Sequence, residues 1–95
     1  MTDPTLLILS SLAGGDKHGY AMMTDIRTFA GVELGPGTLY GAITRLEESG
    51  LIRPIASEDR RQPYALTAAG KKYLTSELAG LDTVVREGLR RLRRA

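Results

Sequence analysis

The sequence lacks the residues that build disulfides and most metal sites. Its 95 residues include no cysteine, no tryptophan and a single histidine, His18. Without cysteine there can be no disulfide and no thiolate metal site, and one histidine cannot form a histidine cluster. These absences predict a protein that uses no metal or other cofactor, and they fit a reducing compartment.

Long apolar runs and targeting signals are also missing. The apolar run Leu6–Ala13 is interrupted by Ser10 and Ser11, and it is far shorter than the ~20 apolar residues that span a bilayer. Residues 1–4 contain no basic segment of the kind that opens a signal peptide. We therefore expect a cytoplasmic protein that makes no contact with a membrane.

Motifs for catalysis are absent as well. The turn at Gly35–Gly37 lacks the Lys-Ser/Thr pair that completes a phosphate-binding P-loop. The sequence has no paired carboxylate motif for acid–base catalysis, and its serines have no nearby histidine in a known hydrolase context. The sequence therefore predicts that the protein is not an enzyme.

Positive charge is present, but it is concentrated in two segments. There are 13 basic and 11 acidic residues, a net charge of +2. Arg60 and Arg61 lie in a turn-rich segment, and residues 90–95 contain four arginines and no acid. Local clusters of this kind are typical of nucleic-acid-binding surfaces, although an ordinary solvated face produces the same pattern.

The periodicity of the apolar residues predicts three helices, a β-hairpin and a long last helix. The helices cover residues 4–13, 18–30 and 36–50, the hairpin strands cover 51–56 and 63–67, and the last helix begins at Thr67. The predicted fold is mostly α with a small β-hairpin. This order is that of a winged helix-turn-helix, residues 1–70, with a C-terminal dimerisation helix, residues 71–95, in one compact unit.

Local signals in these elements predict caps and buried faces. The expected buried stripe of the first helix is Leu6, Leu9 and Ala13, widened by Ile8 and Leu12. The expected buried residues of the second helix are Tyr20, Met23, Ile26, Phe29 and Ala30. Asp16 is the expected cap of the second helix, Thr38 or Gly37 that of the third, and Thr67 that of the last. Gly31 and Gly50 are expected to end the second and third helices.

The last helix carries a heptad-like seam. Apolar or small residues recur at spacings 4-3-4-3-4, at Leu74, Leu78, Leu81, Val85, Gly88 and Leu92. A chain of this length buries only about 60% of its unfolded surface, so a partner subunit would add stability. The predicted dimerisation residues are Leu74, Leu78, Leu81, Val85, Leu89 and Leu92.

The third helix has the pattern of a DNA-reading helix. Its inward stripe is Leu39, Ile43 and Leu46, which leaves Tyr40, Thr44 and Arg45 on the outer face. A single helix fits the major groove, and basic residues on the hairpin reach the DNA backbone or the adjacent minor groove. The predicted DNA-binding residues are Thr38, Tyr40, Thr44, Arg45, Arg60 and Arg61.

Each of these residues also has a structural alternative. Thr38 is explained equally well as a plain helix cap, and Tyr40 as a residue at the edge of the core. The alternative for Arg45 is a solvent-facing side chain that pairs with Glu48. The alternative for Arg60 and Arg61 is an ordinary solvated turn. His18 and Tyr20 are expected to pack or cap rather than to bind a ligand.

Four short runs resemble the PadR family of bacterial transcriptional regulators. They are HGY at 18–20, GPGTLY at 35–40, RLEESGLI at 45–52 and YALTAAG at 64–70. The resemblance covers about residues 5–78. It implies a dimeric winged-helix repressor, often responsive to a small ligand or a stress signal, and it implies that the last helix dimerises. The sequence has no tryptophan in the last helix, which disfavours the planar-drug stacking of some relatives.

Two hypotheses of different classes follow. The first is a homodimeric regulator, a repressor, that binds a pseudo-palindromic operator of double-stranded DNA and is released by a small-molecule effector or signal. The second is a winged-helix module that docks a protein partner through its hairpin and last helix without binding DNA. The modest net charge of +2 motivates the second hypothesis.

Overall fold

The computed structural model describes residues 3–94, which form four helices and one small sheet. The elements are α1 (Pro4–Ala13), β1 (Lys17–His18), α2 (Gly19–Ala30), α3 (Pro36–Glu48), β2 (Ile52–Pro54), β3 (Pro63–Leu66) and α4 (Ala68–Arg94). The expected fold, mostly α with a small β-hairpin, is confirmed. Met1, Thr2 and Ala95, which the predicted boundaries 1–70 and 71–95 include, lie outside the described residues.

The sheet has three strands where the sequence predicted a two-stranded hairpin. The strand order is β1-β3-β2 and both pairings are antiparallel, with Lys17 opposite Tyr64 and Ile52 opposite Leu66. The third strand was missed because two residues are too few to show the alternation that marks a strand. It exists because β3 offers a free edge to a segment 46 residues earlier in the chain.

The helix α1 is the centre of the core. It contacts α2, α3, α4 and β3, and its buried residues are Leu7, Ile8, Leu9, Ser11 and Leu12. The prediction was right for Ile8, Leu9 and Leu12, and it missed Leu7 and Ser11. It was wrong for Ala13, which is exposed, and Leu6 is only partly buried. A helix that is covered on several sides needs apolar residues around most of its circumference.

The helix α2 is rotated relative to the prediction. Its buried residues are Gly19, Met22 and Ile26, whereas Tyr20 and Phe29 are 63% and 51% exposed. His18, not Asp16, caps it, because His18 Nδ1 accepts a hydrogen bond from the Ala21 amide at 3.2 Å. Gly31 ends the helix with φ +67°, as predicted.

The stripe of α3 is confirmed, because Leu39, Ile43 and Leu46 are all buried. Gly50 follows the helix with φ +77°, as predicted. The predicted caps Thr38 and Gly37 are wrong. Pro36 occupies the first helical position, so the N-cap is Gly35, which has no side chain to cap the helix.

The long helix α4 is anchored at its beginning and free beyond it. Thr67 caps it as predicted, with Oγ1 accepting from the Gly70 amide at 3.0 Å. Leu74 is 5% exposed and belongs to the hydrophobic core. It is therefore not available to a second subunit, contrary to the prediction that it is a dimerisation residue. At ~1.5 Å per residue, the 27 residues of α4 span ~40 Å. The molecule measures 56 × 26 × 20 Å, so α4 projects beyond the domain.

None of the helices in residues 3–94 is long and apolar enough to cross a membrane.

The junction between the hairpin and α4 depends on the absence of a side chain at Gly70. A Cβ there would overlap the Leu51 carbonyl oxygen, which accepts a hydrogen bond from the Thr67 amide at 3.1 Å. Gly70→Ala should therefore lower the free energy of unfolding by about 1–3 kcal/mol, the usual cost of overpacking. Urea unfolding at fixed protein concentration measures this change.

The matched control is Gly37→Ala, which adds the same methyl group in α3 where nothing lies within 4 Å. It should leave stability unchanged or raise it by about 0.5 kcal/mol. Equal losses in both variants would show that the close approach at Gly70 does not limit stability.

Candidate nucleic-acid interface

The outer face of α3 carries four of the predicted residues. Thr38, Tyr40, Thr44 and Arg45 are all exposed on the side opposite the buried stripe. The Thr44 hydroxyl donates a hydrogen bond to the Tyr40 carbonyl at 3.0 Å, so it is partly occupied within the helix. Thr38 lies in the first turn, where its hydroxyl and the uncapped amides face solvent.

The Arg45 side chain lies along α3 and remains without a carboxylate partner. The alternative pairing with Glu48 does not form among the ion pairs of residues 3–94. A Cβ at Gly41 would be 3.6 Å from Arg45 Nη1. This is an ordinary van der Waals distance, and it shows that the guanidinium lies over the helix beside Gly41.

A cleft lies where the hairpin, the beginning of α2 and α3 meet. Its volume is 300 Å³, and we call it the wing cleft; its lining residues are His18, Gly19, Tyr20, Tyr40, Arg60, Arg61, Gln62 and Tyr64. The β1–β3 pairing forms it, because this pairing holds the base of the hairpin beside the first residues of α2. None of these lining residues is acidic.

Tyr40 forms one wall of the wing cleft because Gly19 has no side chain. A Cβ on Gly19 would be 2.6 Å from the Tyr40 hydroxyl and 2.8 Å from its ring carbons. Gly19 is buried, while Tyr40 remains 48% exposed. The ring thus packs on the start of α2 and presents its hydroxyl in the cleft.

His18 has more hydrogen-bond donors around it than it can accept. Its Nδ1 accepts from the Ala21 amide, and its Nε2 lies 3.2 Å from Arg61 Nη1, which is also a donor. A neutral imidazole has one acceptor nitrogen, and an imidazolium has none. Whatever its protonation state, at least one ring N–H faces another donor. An anionic oxygen placed between His18 Nε2 and Arg61 would remove this conflict.

The charge around the wing cleft is mostly positive. In the part of the chain that the structure describes, neither Arg60 nor Arg61 pairs with a carboxylate. Burial, followed by the negative charge of Glu47 and by Tyr40, raises the pKa of Tyr64 above its usual value. Glu47 therefore lies near the cleft but does not line it.

The structure brings together half of the predicted DNA-binding residues. Tyr40, Arg60 and Arg61 line the wing cleft, whereas Thr38, Thr44 and Arg45 lie outside it. Sequence reasoning assigned His18 and Tyr20 to capping or packing. His18 does cap α2, but Tyr20 is exposed, and both side chains line the cleft. The signal that pointed to them was the HGY run at 18–20.

Three helices followed by a hairpin, with the third helix exposed along one face, define a winged-helix protein. The F93 protein from STIV, described as a winged-helix DNA-binding protein, has this fold, with a TM-score of 0.78 at 21% identity over 84% of this chain and 88% of that one. A PadR family transcription regulator from Clostridium difficile has a TM-score of 0.75 at 30% identity, covering 90% of this chain and 97% of that one.

Sequence comparison places the chain within one family. The profile of the transcriptional regulator PadR-like family matches residues 8–76. The transcriptional regulator Rv3488 of Mycobacterium tuberculosis is 37% identical over 90 residues, which are 88% of this chain and 80% of that protein. The chain therefore belongs to the PadR-like family of transcriptional regulators, which are not enzymes.

A second relative is much longer than this chain. An uncharacterized 37.1 kDa protein in transposon TN4556 of Streptomyces fradiae is 45% identical over 75 residues, or 79% of this chain. The chain spans 22% of the length of that protein.

The cap on α2 predicts which tautomer His18 adopts. The Ala21 amide has no other acceptor in the first turn, whereas the exposed Arg61 can move into water. The neutral ring should therefore keep Nδ1 as the acceptor and carry its proton on Nε2. Long-range ¹H–¹⁵N NMR spectra at alkaline pH distinguish the two tautomers. A proton on Nδ1 would show that Arg61, rather than the helix cap, orients the ring.

Proposed function

We propose that the protein is a homodimeric transcriptional repressor that binds a pseudo-palindromic operator through α3 and the hairpin. The wing cleft carries this proposal, because it combines unpaired arginines, a histidine and a tyrosine hydroxyl beside the exposed face of α3. Phosphate oxygens are the acceptors that such a donor set prefers. Because the family consists of transcriptional regulators, we propose that these phosphate oxygens belong to DNA.

The exposed face of α3 would enter the major groove. Arg45, which has no carboxylate partner in residues 3–94, is then free to contact a guanine edge or a phosphate. Thr38 and the uncapped first turn of α3 would face a phosphate, which helix amides and the helix dipole favour. These contacts position the helix, and base contacts from its outer face supply the specificity.

The wing cleft would hold a backbone phosphate on the other side of the groove. A phosphate oxygen between His18 Nε2 and Arg61 accepts from both groups and ends the contact between two donors. Tyr40 contributes its hydroxyl from the opposite wall. The hairpin and the beginning of α2 would thus bind one strand together.

A second subunit would be held by α4. Its exposed apolar side chains beyond the domain are Leu78, Leu81, Val84, Val85, Leu89 and Leu92. Exposed apolar residues in a continuous helical stripe favour pairing with a second helix. In a symmetric dimer the two α3 helices would read half-sites about 34–36 Å apart. A ligand or stress signal that changes the angle between the α4 helices would change this spacing and release the operator.

The double substitution Arg60→Ala/Arg61→Ala tests the DNA interface. It removes two positive charges from the wing cleft, so affinity for the protein's own promoter should fall about tenfold or more. The slope of log affinity against log salt should become shallower by about 1.8, which corresponds to two phosphate contacts. Gel shift or fluorescence anisotropy at several salt concentrations measures both changes.

The matched control is Arg27→Ala/Arg86→Ala, which removes two exposed arginines that pair with Glu33 and Asp82 outside the cleft. This variant should bind like the wild type. Undiminished binding by the hairpin variant would exclude the wing cleft as a phosphate site. If the wild type itself binds no promoter fragment at low salt, the DNA-binding proposal fails and the protein-docking alternative is favoured.

Dimerisation through α4 is tested by Leu78→Asp/Val85→Asp. Two carboxylates in the apolar stripe would have to be buried without partners, so the variant should be monomeric by light scattering. The control Ser76→Asp/Thr83→Asp places the same charges on another face of α4 and should remain dimeric. A dimer that survives the first pair of substitutions would locate the interface elsewhere.

A further inference from the structure

One face of α4 has a residue pattern that is symmetric about Val84. Gly80 and Gly88 lie four residues before and after it, and Glu77 and Arg91 lie seven residues before and after it. Spacings of three and four place all five residues on the same face of a helix. When the face is laid antiparallel on a copy of itself, each glycine therefore lies opposite a glycine, and Glu77 lies opposite Arg91.

The surface of this face is recessed on both sides of Val84. Val84 separates two hollows, of 480 Å³ around Gly80 and 400 Å³ around Gly88. The first hollow is a groove between α4 and the beginning of α1, where its walls include Asp3, Leu6 and Glu77. Neither glycine has an atom from elsewhere in the described chain within 4 Å of its Cβ position.

The two ends of the face carry opposite charges. Glu77 has no cationic partner among residues 3–94, and its carboxylate accepts from the Tyr73 hydroxyl at 3.3 Å. The pKa of Tyr73 is raised, mainly by the negative charge of Glu77. Smaller contributions come from burial, from the hydrogen bond to Glu77 and from Asp3. This end of the groove is therefore acidic.

The other end has an excess of positive charge. Arg90 and Arg91 both donate to the same carboxylate, Glu87, and these hydrogen bonds lower the pKa of Glu87. One carboxylate therefore faces two guanidinium groups. One of the two positive charges is left for another partner.

We infer that a second copy of this chain docks on this face antiparallel, with the two-fold axis at Val84 and Glu77 of each copy paired with Arg91 of the other. The inference rests on the proposed homodimer and specifies its register. A two-fold axis makes both copies use the same patch, so the patch must be complementary to itself. Glu77, Gly80, Val84, Gly88 and Arg91 satisfy that requirement.

The register also accounts for three further apolar residues of α4. Gly80 of one copy lies opposite Gly88 of the other, so the two helices approach closely on either side of Val84. The C-terminal half of each α4 then occupies the groove between α1 and α4 of the other copy. Val85, Leu89 and Leu92, which lie beside the symmetric face, cover Leu6 and its neighbours on α1.

Charge reversal tests the register in the full-length protein. Glu77→Arg and Arg91→Glu should each raise the dimer dissociation constant at least about tenfold, because like charges then face each other twice per dimer. The double variant restores both pairs and should return to within about threefold of the wild type. Sedimentation equilibrium measures the constants, and circular dichroism checks that each variant is folded.

The controls are Asp82→Arg and Arg86→Glu. Each breaks the ion pair between Asp82 and Arg86 on α4 but lies off the symmetric face, so both should stay within about threefold of the wild type. A double variant no tighter than the single variants would overturn the register and leave the homodimer standing. A wild type that is monomeric at every concentration would overturn the homodimer itself.

Cross-linking gives an independent readout, because the chain has no cysteine of its own. A residue on a two-fold axis faces its own copy, so Val84→Cys should form a disulfide-linked dimer under mild oxidation. Thr83→Cys, one residue away and turned from the partner, should not. Equal cross-linking of the two variants, or cross-linking of Thr83→Cys alone, would place the axis elsewhere.

Discussion

Almost the whole surface of α1 is covered by other elements. The way each element packs on α1 determines which of its own faces stays exposed to solvent. The elements α2, α3, α4 and β3 all pack on it. Because α3 turns Leu39 and Ile43 toward this core, its opposite face remains in water. Because α4 contributes Leu74 to the same core and then runs past the end of the domain, its later apolar residues find no cover within residues 3–94.

Local signals predicted most of the fold but little of the wing cleft. The stripe of α3, the glycine stops and the Thr67 cap depend on residues a few positions apart, and all were predicted. The strand β1 depends on pairing with a segment 46 residues away, and the rotation of α2 depends on what covers it. Tyr20 and Phe29 look like core residues by type, yet 63% and 51% of their surfaces are exposed. Tertiary packing decides such cases.

The distribution of charge explains why a net charge of +2 is compatible with binding DNA. Most ion pairs of the described chain neutralise charge away from the candidate interface: Arg27–Glu33, Arg86–Asp82, Arg90–Glu87 and Arg91–Glu87. Arg45, Arg60 and Arg61 are outside these pairs. Glu47, Glu48, Glu58 and Asp59 of α3 and the hairpin are outside these pairs as well, so charge in this region is balanced overall. The positive charge is local to the wing cleft, whose lining includes Arg60 and Arg61 and no acidic residue. Composition cannot reveal this local excess, because it does not record where each charge lies.

In the proposed homodimer, α4 would join the DNA-binding domain to the dimer interface without a flexible joint. Leu74 is fixed in the core, and Val84 lies ten residues later on the same unbroken helix, which is ~15 Å at the usual helical rise. A change in the crossing angle of the two α4 helices would therefore rotate each whole domain, since no linker absorbs it. In the proposed dimer this rotation would displace the two α3 helices relative to each other. Because DNA requires a fixed half-site spacing, a signal that acts on α4 would control DNA binding without touching the wing cleft.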